Sequence, residues 1–419
     1  MIRLSLLIAT LAASIAPACF VQGEEPAEVF LEALRDNGYY DVAIDYLNEL
    51  EKGDLITPEF RSSLPFEKAE VLIGSTSRLR DLGLIEERLD EAQKLLTEYA
   101  SKNQSLEVSA RTLRYQGNLL FQRSNIYLNQ TKSDRATDGE KKELRGKARK
   151  LLEESLASYT KARAQLKRLL DPTDPEAHRI DPQDPASGKK LKQLQGAYVQ
   201  VRVRLPMVGE QLADTYPPGN PKGKKLLKEA AENYQKVYDS YRRFHAGLKS
   251  SVYAARCQQK LGNHQPALDQ LDDIFDLSNH SSLKPMKLEA YSLAAESWSK
   301  IKPYPHLEVI QTLEPAVKVL NRAELRNPDW LRVQLELAVA QHANAIAIKK
   351  KGGPKANKTA GDMDRAAAKT LRNVARAKSP SRDRARQLLS EWNVSIAIAK
   401  DPSETVSYTH LTLPTICSV

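Results

Sequence analysis

Two stretches of this chain share one spacing. Near the start stands Gly38-Tyr39-Tyr40-Asp41-Val42-Ala43, with Leu47 four residues on. In the middle stands Gly262-Asn263-His264-Gln265-Pro266-Ala267, with Leu271 four residues on. Each Gly closes a helical stretch, because glycine tolerates the left-handed backbone of a helix stop. Each Ala then opens the apolar face of a second helix and each Leu continues it. The unit so written is a helix–turn–helix. One such pair cannot bury its own apolar face, so a chain built from them must stack them.

Helical period runs through nearly all of the sequence. In the first pair, Phe30, Leu34, Ala43, Leu47 and Leu50 fall at three- and four-residue steps. The expected organisation is an N-terminal helical module over 24–170, a Pro/Asp-rich loop or linker over 171–189, and a central helical module over 190–348. A flexible basic loop over 349–361 and a basic helix pair over 362–405 follow. Within the linker, Asp171-Pro172, Asp174-Pro175, Asp181-Pro182 and Asp184-Pro185 form the clearest internal break. Proline keeps the residue before it out of the helix, and aspartate caps turns. Single helices are expected over 264–277, 362–377 and 381–399, and Pro206 is expected to kink the helix over 190–214.

On these residues the chain resembles the tetratricopeptide repeat family. That family stacks helix pairs at a period of about 34 residues, with a turn glycine, then a small, a large and a small residue. Gly38, Ala43 and Leu47 match and Leu50 departs; Gly262, Ala267 and Leu271 match and Ile274 departs. Ala255 fits the small position of the preceding helix. Ala368, Ala375 and Pro380 fit a third unit, with Arg372 where a large apolar residue belongs. Ala92 and Leu96 fit a fourth. The units are degenerate, and the family's aromatic anchor is missing from the two best of them. The resemblance implies an all-α, α-solenoid architecture, irregular and interrupted by inserts. An α-solenoid of another repeat type is the alternative.

The two ends stand apart. Arg3 supplies a positive start and Leu4 to Ala16 an apolar run, followed by small residues that offer cleavage after Ala18 or Gly23. Residues 1–23 read as a secretory signal peptide. The run is shorter than the roughly 20 apolar residues of a spanning helix. The acidic Glu24-Glu25 favours the cut after Gly23. A lipoprotein anchored through Cys19 is the alternative, disfavoured by the Pro17 and the missing Leu before it. Residues 406–415, from Val406 to Thr415, resemble the conceptual translation of a transposon-end sequencing adapter, so 406–419 is expected to be non-native and the natural chain to continue past Thr405. Reading the native locus past that codon checks this.

The formal net charge is +10. From Lys349 to Lys400 there are fourteen Lys and Arg against four Asp and Glu, whereas residues 1–348 are near neutral. With Cys19 in the leader and Cys417 in the tail, Cys257 stands alone and no internal disulfide is expected. It reads as a buried structural thiol. No catalytic pattern rises above chance. Gly219 to Lys225 lacks the spacer, the Ser/Thr and the preceding strand of a phosphate loop. The histidines are scattered, and the doublets Asp272-Asp273 and Glu153-Glu154 read as solvated charge. No cofactor, no metal and no catalysis in the visible chain are expected.

In the resembled family, first-helix side chains line a binding groove. That correspondence implies Lys249, Val252, Arg256, Gln259 and Lys260 as the candidate groove, with the cations free to hold a carboxylate of an extended peptide. The equivalent face of the first unit is Glu28, Glu32, Arg35 and Asp36. Lys349, Lys350, Lys351 and Lys355 are the candidate contact with an anionic surface. Nucleic acid is disfavoured as a partner, since export removes the chain from it and no aromatics are interleaved for stacking. The expected function is an exported scaffold for a protein or peptide partner in the cell envelope. The alternatives are an adaptor for an enzyme domain lost beyond residue 405, and a binder of anionic envelope polymer or lipid through 349–400.

Overall fold

The computed structural model describes residues 27–53, 56–181, 184–278 and 280–394. Residues 1–23, expected as a signal peptide and holding Cys19, residues 395–405 and the tail 406–419 with Cys417 lie outside the described residues. The described residues contain helices and no strand, and the fold is all-α, with consecutive helices packed in a solenoid-like manner. The chain divides into two compact units, 1–195 and 196–419.

Unit 1 holds α1 (Ala27–Asp36), α2 (Tyr40–Lys52), α3 (Pro58–Ser75), α4 (Leu82–Lys102), α5 (Leu106–Gln130), α6 (Asp138–Leu170) and the first turns of α7 (Pro185–Asp214). Their starts follow from local chemistry. Thr57, Asp81, Ser105 and Thr137 each accept a hydrogen bond from the backbone N–H three residues on. Such a cap satisfies one of the donors that a helix start leaves without a partner. Leu31, Leu34, Ala43 and Leu47 of the first pair bury against Phe60, Leu64 and Val71 of α3. Phe66, Ala69, Leu72 and Ile73 of α3 then bury against Leu89, Ala92 and Leu96 of α4 and Leu119 of α5. Each helix pair thus covers the next. Between α5 and α6, Gly117 leaves room for the ring of Tyr159 on α6, and Ser155 Oγ donates to the Gly117 carbonyl at 2.7 Å.

Unit 2 holds the rest of α7, then α8 (Pro221–Tyr241), α9 (His245–Leu261), α10 (His264–Asp269), α11 (Asp272–Phe275), α12 (Lys284–Trp298), α13 (His306–Lys318), α14 (Pro328–Lys350), α15 (Pro354–Arg376) and α16 (Arg382–Glu391). Its main core joins Val252 and Ala255 of α9 to Ala267, Leu271 and Ile274, and to Ala290, Trp298, Leu313 and Leu337. A second core binds α14, α15 and α16 through Leu331, Ala338, Leu371, Val374 and Leu389. Cys257 is buried and free, and burial pushes its thiol pKa up, so it is an unreactive core residue at neutral pH.

The two turns with shared spelling have one geometry. Gly38 and Gly262 have φ of 69° and 83°. The N–H of Gly38 donates to the Arg35 carbonyl and that of Tyr39 to the Leu34 carbonyl; Gly262 and Asn263 donate in the same way to Gln259 and Gln258. This is the Schellman arrangement. Asn393 repeats it at the end of α16, with φ of 54° and Val394 donating to the Leu389 carbonyl. Ala43, Leu47, Ala267 and Leu271 are all buried.

Three expectations need correcting. Residues 349–361 are not a loop: α14 runs to Lys350, the turn is 351–353, and α15 starts at Pro354. Proline at a first helical position loses no hydrogen bond, which is why Gly352-Gly353-Pro354 makes a sharp turn. The helix expected at 362–377 is the later part of α15. The helix expected at 264–277 is broken into α10 and α11, because Ser251 Oγ donates to the Gln270 carbonyl and the Ile274 N–H bonds Leu271 instead. The Pro/Asp-rich stretch, expected as a loop or a linker, stands between α6 and α7, and the division between units falls inside α7. Lys190 of its first turns pairs with Glu107 at 2.5 Å, and Arg168 holds Asp174 of the intervening segment at 2.9 Å. Helix α7 runs on through Pro206.

Replacing Gly262 with Ala forces a side chain into the left-handed region and is expected to cost about 1–2 kcal/mol. Gly38→Ala is expected to cost about as much, because the Arg78 guanidinium that its Cβ would meet ends a flexible side chain and can move aside. Urea denaturation of both variants checks this.

Candidate functional site

The first helices of successive pairs in unit 2 are α7, α9, α12 and α14. Their shared face carries the candidate groove residues, and it is built from ion pairs. Glu210 of α7 is 3 % exposed, between Val208 and Leu212 of the core. Arg256 of α9 grips it with two bonds of 2.7 Å, from Nε to Oε1 and from Nη2 to Oε2. The third guanidinium nitrogen, Nη1, donates to Glu289 Oε1 of α12 at 2.9 Å. Lys249 reaches the other oxygen of Glu289 at 2.5 Å. Lys260 pairs with Glu210 at 2.9 Å and Asp214 at 2.7 Å. Further along, Arg332 of α14 meets Glu296 of α12 at 3.3 Å.

Among the residues of these pairs, sign therefore alternates across the stack: negative on α7, positive on α9, negative on α12, positive on α14. Unit 1 follows the same rule. Arg35 of α1 pairs with Glu67 at 2.7 Å and Glu70 at 3.0 Å on α3, and Arg111 of α5 pairs with Glu67 at 2.8 Å. Arg111 also lies over the Phe66 ring, 3.7 Å from its centroid. A planar, delocalised cation suits such stacking.

The electrostatics follow from this packing. Burial would raise the Glu210 carboxyl, but the Arg256 guanidinium and the Lys260 ammonium more than offset it and hold its pKa below the ordinary value. Arg256 is raised, against burial, mainly by its bond to Glu210. Glu336 on α14 has the opposite balance. It is 4 % exposed and accepts from the Tyr304 hydroxyl at 2.6 Å, and burial pushes its pKa up to about 7. Burial, together with Glu336, pushes Tyr304 up as well, so the phenol stays protonated.

The structure brings Lys249, Arg256, Gln259 and Lys260 onto one face but does not leave them free. All three cations are already bound to carboxylates, and Gln259 Nε2 donates to the Leu293 carbonyl at 2.9 Å. Val252 is fully buried in the core and lines no groove, because α9 turns that side toward α10 and α12. On α1, Glu28, Glu32 and Asp36 are exposed and Arg35 is half-buried in its ion pairs. Asp273, expected to be solvated, accepts from the Tyr238 hydroxyl and the Arg242 guanidinium. Lys349, Lys350, Lys351 and Lys355 are exposed around the α14–α15 turn. Sequence reasoning missed Glu210, Glu289 and Glu336. The available signal was a carboxylate inside an apolar helical run, as in Met207-Val208-Gly209-Glu210-Gln211-Leu212.

What remains accessible is a face of half-exposed, internally neutralised charges with spare donors and acceptors of both kinds. Among the described residues, no group of three or more His, Cys, Asp or Glu is placed to hold a metal ion, and no helix is long and apolar enough to cross a membrane. No protein-family model matches this chain, and no curated protein matches it.

Removing one partner of a buried pair strands the other charge. Arg256→Met is expected to lower stability by about 3 kcal/mol, and Glu210→Leu with Arg256→Met to recover most of it; paired thermal melts check this. Glu336 gives a pH signature. Its folded pKa lies above the ordinary 4.5, so its contribution is whole below about pH 4.5 and is lost as pH rises through 7. Glu336→Gln is therefore expected to stabilise the protein by about 3 kcal/mol at pH 8 and to do nothing at pH 4, as measured by urea denaturation.

Proposed function

We propose that this chain is an exported, tetratricopeptide-like scaffold that holds a protein or peptide partner on the first-helix face of unit 2. The observation that carries the reading is the charge-alternating face over α7, α9, α12 and α14. Such a face attracts neither a strong acid nor a strong base as such. It offers ordered donors and acceptors along several stacked helices, which suits an extended polypeptide with charges of both signs. The internal ion pairs keep those groups fixed before a partner arrives, which lowers the ordering cost of association.

Export and a place in the cell envelope are supported by the charged start, apolar run and small residues over 1–23. The half-exposed groups most open to a partner are Asp214, Glu296 and Arg332, since Arg256 and Lys260 are committed to Glu210.

A photo-crosslinking residue placed at Glu296 or Arg332 is expected to yield one discrete adduct in native cells. The same residue at Glu229, exposed on the second helix α8, is expected to yield none. Equal adducts from both faces, or none from the first-helix face, would overturn the proposal.

A further inference from the structure

We infer that the α14–α15 turn is a docking point for an anionic lipid bilayer. Lys349 and Lys350 end α14, Lys351 lies in the turn, and Lys355 and Lys358 stand in the first turns of α15. All five are exposed. None makes an ion pair, whereas Lys249, Arg256, Lys260 and Arg332 of the first-helix face are all paired. No acid occurs between Lys349 and Gly361, and the next two are engaged, Asp362 with Arg365 and Asp364 with His342.

The fold gains little from this arrangement. Lysines at the end of α14 complement the helix dipole, which is negative there. Lys355 and Lys358 sit at the opposite pole, the positive start of α15, where acidic residues are favoured and the first turn has none. Five like charges across one tight turn also repel each other. An external anion relieves both penalties.

Three features select a bilayer among polyanions. The lysines surround the end of a helical hairpin, so they face a surface rather than line a groove that would enclose a chain. They are flexible point charges with no arginine and no aromatic among them, which suits diffuse attraction to a headgroup layer and not recognition of one group. Ile346, one turn before the cluster, is 44 % exposed. It gives the turn an apolar contact that a soluble polyanion cannot use.

The test is co-sedimentation of the full chain with phosphatidylcholine vesicles, with and without phosphatidylglycerol, beside binding to soluble polyphosphate. Of the two vesicle types only the anionic one is expected to be bound, less well as salt is raised. Replacing the five lysines with glutamine is expected to reduce it by about five-fold per lysine that touches the surface. Ile346→Ser is expected to weaken vesicle binding and leave polyphosphate binding unchanged. Replacing the exposed Lys222, Lys224, Lys225 and Lys228 of α8 with glutamine controls for net charge and is expected to change little. The inference fails if the five-glutamine variant binds as well as the parent, or if the α8 variant loses as much. It fails equally if polyphosphate is bound and anionic vesicles are not, which would identify a polymer ligand.

Discussion

The bidentate bond between Glu210 and Arg256 organises unit 2. A carboxylate this deeply buried would carry a large desolvation cost if left unpaired. Arg256 answers it with two parallel hydrogen bonds, and its remaining nitrogen passes the connection to Glu289 on the next first helix. A guanidinium fork fits a carboxylate in one plane only, so the pair fixes how far α9 slides along α7. Apolar packing fills the space between helices but tolerates small slips. The ion pairs do not, and the core around Val252, Ala255 and Leu271 is packed in the register they set.

The same logic separates two kinds of charge in this molecule. On the first-helix face, cations and carboxylates are matched within the fold and partly withdrawn from water, so salt screens them weakly. At the α14–α15 turn the charges are exposed and unmatched, and salt screens them fully. The first group belongs chiefly to the structure and presents a fixed polar pattern. The second is directed outward. Composition alone registers both as the high charge content of the chain and cannot tell them apart.

The hairpin turns were legible in the sequence because their cause is local. A glycine at the left-handed position, an alanine five residues on and a leucine four further describe one backbone motif and one buried stripe, and both copies fold that way. The basic turn was legible as charge but was misread as a loop, since Gly352-Gly353-Pro354 marks a boundary that is only three residues wide. The site was less legible. Lys249, Arg256 and Lys260 follow from the resemblance to the repeat family, but their partners sit on other helices 33 to 46 residues away. Spacing within one helix carries no information about which carboxylate a neighbouring helix supplies. Val252 was misplaced for the same reason: the face that α9 buries is decided by α10 and α12.

Alternation of sign also restricts how such an array can change in length. Within each unit the inner first helices meet the opposite sign on both sides, α3 between α1 and α5, and α9 between α7 and α12. Excision of one helix pair would bring two first helices of like sign together, and a buried carboxylate such as Glu210 would face another carboxylate. Excision of two pairs would restore the match. The ladder thus acts as a parity rule, under which repeats can be gained or lost in twos and the loss of one is penalised by its neighbours.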